Sequence, residues 1–179
     1  MPVLEQQPDL LQQFALGNLD AFEALFRQYQ ADVYRWIVRI VRDPAAVEDL
    51  TIETFWRIYR AHARFDPRRS FGAWARRIAT NAALDYLKTA PREVALVEDF
   101  AAKDAADPAV QRDIRERTQQ AFRELPAKLQ VAATLALIEE QPYKEIADAL
   151  GVSVGAVKLR VFRAARQLRK NLKQLGVEP

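Results

Sequence analysis

Six arginines, Arg60, Arg64, Arg68, Arg69, Arg76 and Arg77, crowd around Phe65, Phe71 and Trp74 in YRAHARFDPRRSFGAWARRIATNAALDYLK, residues 59–88. Cations interleaved with aromatic rings suit single-stranded nucleic acid. The charges meet the phosphate backbone, the rings stack on unpaired bases, and an amide such as Asn81 can form two hydrogen bonds with a base edge. Asp85 follows Asn81 at helical spacing. The competing account treats Phe71, Trp74 and Ile78, at i, i+3 and i+7, as an ordinary core stripe. For Trp74 and Ile78 the core account is the stronger. The arginines of the loop have no core to serve, which favours nucleic acid.

A second stretch, EIADALGVSVGAVKLRVFRAARQLRK, residues 145–170, changes charge halfway: from Lys158 onward it carries six basic residues and no acid. Ala147, Gly151 and Val157 stand at i, i+4 and i+10. That spacing fits a helix-turn-helix: a small residue where the helices press together, Gly at a turn with positive φ, and a branched residue where the second helix meets the first. Pro142 can open the first helix, and Ser153 can cap the second. Winding the second helix at 100° per residue puts Val157, Val161, Ala164, Ala165 and Leu168 on one face. Gly155, Lys158, Leu159, Phe162, Arg163 and Arg166 fall mostly on the other. A basic face of this kind pairs with phosphates and reaches base edges in a major groove. The alternative is a solvated basic stripe on a purely structural helix pair.

The acids of VEDLTIETF, Glu48, Asp49 and Glu53, form a third group. They lack the further ligands that a metal would need. Two readings stay open: acids that favour the start of a helix through its dipole, and an acidic face for docking a basic partner.

The elements that must carry these groups are all helical by period. The chain has 179 residues, half of them hydrophobic, with five Gly, and no strand-type alternation. Helices are expected over 10–16, then from Asp20 as N-cap to Val41, and from Pro44 (capped by Asp43) to Ala63. A fourth runs from Phe71 (capped by Ser70) to Lys88, helical period returns from about Ala109, and three more helices cover 127–139, 142–149 and 153–173. The expected fold is all-α: two small helical domains, 10–89 and 125–175, joined by a flexible acidic linker, 90–124. Net charge is +3 overall, but it is distributed unevenly: +1 over residues 1–89, −2 over 90–124 and +4 over 125–179. The chain has no Cys and one His, His62, which rules out a disulfide framework and a thiolate zinc site. No metal or cofactor constellation is evident. With no leader and no long apolar run, a cytoplasmic protein without membrane insertion is expected.

In this order, DAFEALFRQY…VYRWIVRIVRDPAAVEDLTIETFWRIYRAHARF…SFGAWARRIATNAALDYLK, then a linker, then LPAKLQVAATLAL…EIADALGVSVGAVKLRVFRAARQL, the chain resembles a bacterial RNA polymerase sigma factor. It is similar to the extracytoplasmic-function type, which has only regions 2 and 4. The likeness spans about residues 20–172. It implies that Asp49, Glu53 and Phe55 lie on the segment that docks on the clamp helices of the polymerase β′ subunit. It implies that Arg64, Phe65, Arg68, Arg69, Phe71, Trp74, Arg77 and Asn81 belong to the part that captures the melted non-template strand of the −10 element. Ser153, Gly155, Lys158, Leu159, Phe162, Arg163 and Arg166 would lie on the reader of the −35 duplex. RNA polymerase core, through the β′ clamp helices and the β flap, and promoter DNA are the implied partners, with an anti-sigma factor as a further one. Three positions depart from the usual pattern: Ile52 in place of Gln, Leu159 in place of a small polar residue, and Ala156 in place of Thr.

Two other functions compete with a promoter-specificity subunit that is not itself an enzyme. One is a stand-alone helix-turn-helix regulator whose N-terminal domain senses a ligand or dimerises. The other is a hydrolase, which one His, no Cys and no metal constellation argue against.

Overall fold

The computed structural model describes residues 7–89 and 107–177, with side chains from residue 9. The first half of the expected acidic linker, 90–106, lies outside the described residues. Eight α-helices and no strands make up the described residues. They are α1 (Gln7–Ala15), α2 (Leu19–Val38), α3 (Pro44–Arg60), α4 (Phe71–Thr89), α5 (Pro108–Arg123), α6 (Ala127–Ala133), α7 (Tyr143–Leu150) and α8 (Val154–Gln174).

The helix starts follow cap chemistry. Asp43 accepts the Ala45 N–H and Pro44 opens α3, where its missing donor is not needed. Ser70 Oγ accepts from Ala73 N at the head of α4, and Ser153 Oγ from Ala156 N at the head of α8. Asp20 does not cap α2. Asn18 does, accepting the Ala21 N–H at 3.0 Å, so Asp20 sits in the first turn, where its charge favours the helix dipole. Helix α2 also ends at Val38, three residues before the expected Val41. Ile40 and Val41 nevertheless stay buried, because the Ile40 and Val41 N–H groups both fold back onto the Ile37 carbonyl.

Helix α5 occupies the second half of the stretch expected to be linker. It is capped by Asp107 and packs against α8. The buried Asn171 amide donates to the Ala121 carbonyl at 3.0 Å, and Arg117 Nη1 donates to the Leu175 carbonyl at 2.6 Å. Both bonds fix α5 to the C-terminal bundle. The helix expected over 127–139 is α only to Ala133. Thr134–Ile138 widens into a π turn, closed by the Glu139 N–H on the Thr134 carbonyl. Glu140 follows at φ +49°, in the left-handed region that a side chain enters at a cost.

Helices α2, α3 and α4 pack against one another, with α1 laid across the bundle's open end. Phe14, wholly buried, is the hub of that end, and its ring contacts Phe22, His62, Phe65, Phe71 and Trp74 at 5.5–6.4 Å. The C-terminal unit does not stand apart. Helix α4 packs against both α6 and α7, and one apolar core runs through the two units without a break.

Candidate nucleic-acid interface

The helix-turn-helix forms as its spacing requires. Gly151 ends α7 at φ +65°, and Ser153 starts α8 two residues later. Ile146, Ala147, Val157 and Val161 are buried in the core that the two helices share, and Ala164 is buried with Phe122, Leu125 and Ala133. Gly155, Lys158, Leu159, Phe162, Arg163 and Arg166 all face solvent, as does Ser153. Phe162 is 65 % exposed at the centre of this basic face. An uncovered aromatic ring among guanidinium groups can meet a thymine methyl while the cations meet phosphates or guanine edges.

The arginine loop is built differently from its sequence expectation. Phe65 and Phe71 are buried against Phe14 and against each other, with ring centroids 5.6 Å apart. As folded, neither ring is available to stack on a base. They are the floor of the loop, and Trp74, half-buried with its ring 4.9 Å from Phe65, joins them. What the loop offers outward is polar: Arg64, Arg68, Arg69, Arg77 and Asn81 are all exposed. Asp66 organises these charges. Arg68 donates to both its carboxylate oxygens at 2.9 Å, and the Arg68 N–H adds a third bond at 3.0 Å. The Arg68 side chain, its backbone N–H and the Arg69 charge hold the Asp66 carboxyl down at about 2. The loop therefore keeps this fork closed at neutral pH. Beside it an open cleft of about 810 Å³ runs between α1, α2 and residues 66–71, with Gln12, Gln28, Tyr29, Arg69 and Ser70 along its walls.

On α3, Asp49 and Glu53 are exposed, and Phe55 is buried at 3 %, so Phe55 positions the helix from inside rather than presenting its ring. The side chains beside the acids are Ile52 and Trp56, each 59 % exposed. Together with Leu19, Phe22, Phe26 and Tyr59 they line an apolar groove of about 330 Å³. Sequence reasoning missed this groove, although residues 49, 52, 53 and 56 share one helical face. Arg57 bridges two helices: its Nε donates to Glu53 on α3 at 2.9 Å and its Nη1 to Asp85 on α4 at 3.0 Å. That hydrogen bond from Arg57 lowers the Asp85 carboxyl below its ordinary range, with Lys88 adding to the effect.

Comparison with known proteins agrees with this layout. Residues 25–93 match the Sigma-70 region 2 family, and residues 115–168 match Sigma-70 region 4. The RNA polymerase sigma factor CarQ of Myxococcus xanthus is 34% identical, over 94% of this chain and 98% of its own length. The RNA polymerase sigma-H factor of Pseudomonas aeruginosa is also 34% identical, over 96% of each chain. Among solved structures, CnrH in complex with the cytosolic domain of CnrY is similar at a TM-score of 0.57 and 25% identity, over 95% of this chain and 99% of that one. Two family regions in the order 2 then 4, and relatives above 30% identity along nearly the whole length, make this chain a member of the RNA polymerase sigma factor family, of the extracytoplasmic-function type, which directs RNA polymerase core to promoters and starts transcription there.

Proposed function

We propose that the chain divides this work among three surfaces. The α8 face of Lys158, Leu159, Phe162, Arg163 and Arg166 reads the −35 duplex. The loop and helix surface of Arg64, Arg69, Arg77 and Asn81 holds the melted −10 strand, and the cleft beside the loop receives an unpaired base. Asp49 and Glu53, with Ile52 and Trp56, dock the β′ clamp helices. The observation that carries this reading is the single solvent-facing basic surface of α8, with Phe162 uncovered at its centre. None of these surfaces needs a nucleophile or an acid–base pair, so the chain acts by binding and the polymerase supplies the catalysis. The described helices include none long and apolar enough to cross a membrane, which suits a protein working on DNA in the cytoplasm. Because CnrH was solved with the cytosolic domain of CnrY bound to it, a protein partner of this chain besides polymerase is also expected. The stand-alone regulator is the weaker alternative, because it gives region 2 no task on polymerase.

Run-off transcription with purified core polymerase tests the whole assignment. Transcripts from a cognate promoter should require this chain, and their absence under all promoters tried by selection would overturn it. The docking surface has its own test. An Asp49→Lys/Glu53→Lys chain, folded by circular dichroism, should bind core polymerase at least about tenfold more weakly, since two attractive charges become repulsive. Unchanged affinity would remove these acids from the interface. Strand capture is tested at Asn81, which is exposed, so its loss leaves the core intact. Asn81→Ala holoenzyme should open the promoter about tenfold less, one or two hydrogen bonds' worth, with −35 duplex binding retained. Permanganate reactivity of −10 thymines at matched occupancy reads this directly, and equal reactivity would exclude Asn81 from holding the strand.

A further inference from the structure

At 100° per residue, Gly155, Leu159, Phe162 and Arg166 fall within an arc of about 60° on α8, and Lys158 and Arg163 lie about 70° to either side of its middle. Helix α8 itself holds no acid, and among the described residues no carboxylate lies within ion-pair distance of Lys158, Arg163 or Arg166. The flanking cations are thus placed for the two walls of a groove, and the stripe between them meets its floor. Two members of that stripe are apolar and uncovered: Leu159 is 47 % exposed and Phe162 65 %. They stand at i and i+3, so their side chains form one ridge. Isolated apolar residues are ordinary on a protein surface. This ridge is not one, and the core does not account for it, because α8 serves the core through Val157, Val161 and Ala164 on its opposite face.

Gly155 extends the same surface. A helical side chain leans towards the N-terminus, so Leu159 lies over the turn that begins at Gly155. A Cβ on Gly155 would have only Ser153 Oγ within 4 Å, at 3.8 Å. No packed neighbour requires a glycine there. Its effect is outward: the first turn stays low, and Leu159 stands clear of it.

The side chains of leucine and phenylalanine carry no donor and no acceptor, so the hydrogen-bonding edges of bases give them nothing to distinguish. In the major groove one base feature is apolar, the C5-methyl group of thymine. Contact with it takes apolar surface on both partners out of water. For one methyl-sized group that is about a fourfold change in affinity.

We propose that Leu159 and Phe162 are a specificity-determining pair that reads thymine C5-methyl groups in the −35 duplex. Part of the −35 element of this chain is then defined by apolar contact instead of hydrogen bonds. This rests on the assignment of α8 to the −35 duplex. Side chains at i and i+3 stand about 5–6 Å apart, and successive nucleotides about 3.4 Å, so the two methyl groups lie within about two base pairs of each other.

Deoxyuridine tests this without touching the protein, since it lacks only the methyl group of thymine and keeps its pairing. Holoenzyme made from the full chain and core polymerase first enriches promoter duplexes from a pool randomised over the −35 element. Each thymine of the enriched element is then replaced singly by deoxyuridine, and holoenzyme affinity is measured by competition. One or two neighbouring positions should each lose about fourfold, and the other thymines should tolerate the change. Leu159→Ala holoenzyme should bind the thymine duplex more weakly than the parent and no longer distinguish thymine from deoxyuridine at one of these positions. Phe162→Ala should do the same at the other. Circular dichroism checks that both variants, at exposed positions, keep the fold. An enriched element with no fixed thymine overturns the proposal, as does one whose thymines all tolerate deoxyuridine. In both cases the −35 reading stands, because the holoenzyme has still selected a −35 sequence. Methyl discrimination that survives both substitutions belongs to other residues and also overturns the proposal. If no duplex is enriched, the −35 reading falls and the methyl contacts fall with it.

Discussion

Phe14→Ala will destabilise the protein by about 3–5 kcal/mol, the range for removing a fully buried large ring. The upper half of that range is expected for two reasons. Phe14 is wholly buried, so its removal leaves a cavity with no route for water. It also touches five other rings, and aromatic pairs contribute beyond their buried area. For a chain of this length the melting temperature should fall by roughly 6–20 °C. The damage should also spread to function. Phe65, Phe71 and Trp74, the floor of the arginine loop, lose their common neighbour, so amides of residues 65–74 should exchange faster than those of α8. Chemical denaturation with hydrogen exchange checks both statements. Leu16→Ala, at a residue 82 % exposed two positions away, is the control and should change stability by less than about 0.5 kcal/mol. Equal effects of the two substitutions would mean that Phe14 is not the hub.

The second large effect is expected on α8. Lys158 and Arg163 both face solvent and carry the charge on either side of Phe162. A bidentate base contact is worth about 1–3 kcal/mol in discrimination, whereas a phosphate contact weakens all sequences alike. Lys158→Ala/Arg163→Ala holoenzyme should therefore lose about 2–6 kcal/mol on a cognate −35 duplex if both residues read bases. It should lose equally on cognate and scrambled duplexes if both grip phosphates. Titration of the two duplexes, at several salt concentrations, separates these cases, and unchanged binding to both would mean that α8 does not enter the groove through this face.

The recognition half of the molecule was legible because its constraints are local. The positive φ at Gly151, the Ser153 cap and the Val157/Val161/Ala164 stripe act within a few residues, and period and turn chemistry report them directly. The caps at Asp43 and Ser70 were legible for the same reason. What failed to read was non-local. Phe65 and Phe71 carry the composition of a stacking surface, but a partner 50 or more residues earlier in the chain, Phe14, draws both rings inward. Nothing near Phe14 in sequence announces that role, because α1 is only nine residues long and its apolar face does not say which rings it will meet. Asn18 and Asp20 are both good caps, and only the backbone of the Gly17 turn decides between them. Ile52 and Trp56 fall outside the core stripe of α3, but the groove they line needs Leu19, Phe22 and Phe26 of α2, which the period of α3 does not report. The meeting of Glu139 with Arg39 and Arg42, about 100 residues apart, has no sequence signature at all.

The bonds that hold α5 to α8, Asn171 to the Ala121 carbonyl and Arg117 to the Leu175 carbonyl, set a length. Residues 108–123 are committed to the C-terminal bundle, so the covalent connection between the two DNA-facing units is the 17 residues from 90 to 106. Whatever its conformation, a strand of that length spans no more than about 60 Å. Under the proposed division of work, the two units bind DNA as one bivalent ligand whose reach that connection limits. Once one has found its element, the other searches a small volume at a local concentration that neither could reach alone in dilute solution. The same connection sets a ceiling on the spacing between elements that one chain can engage together. In this sense the buried Asn171 amide acts as a stop on a measuring tape.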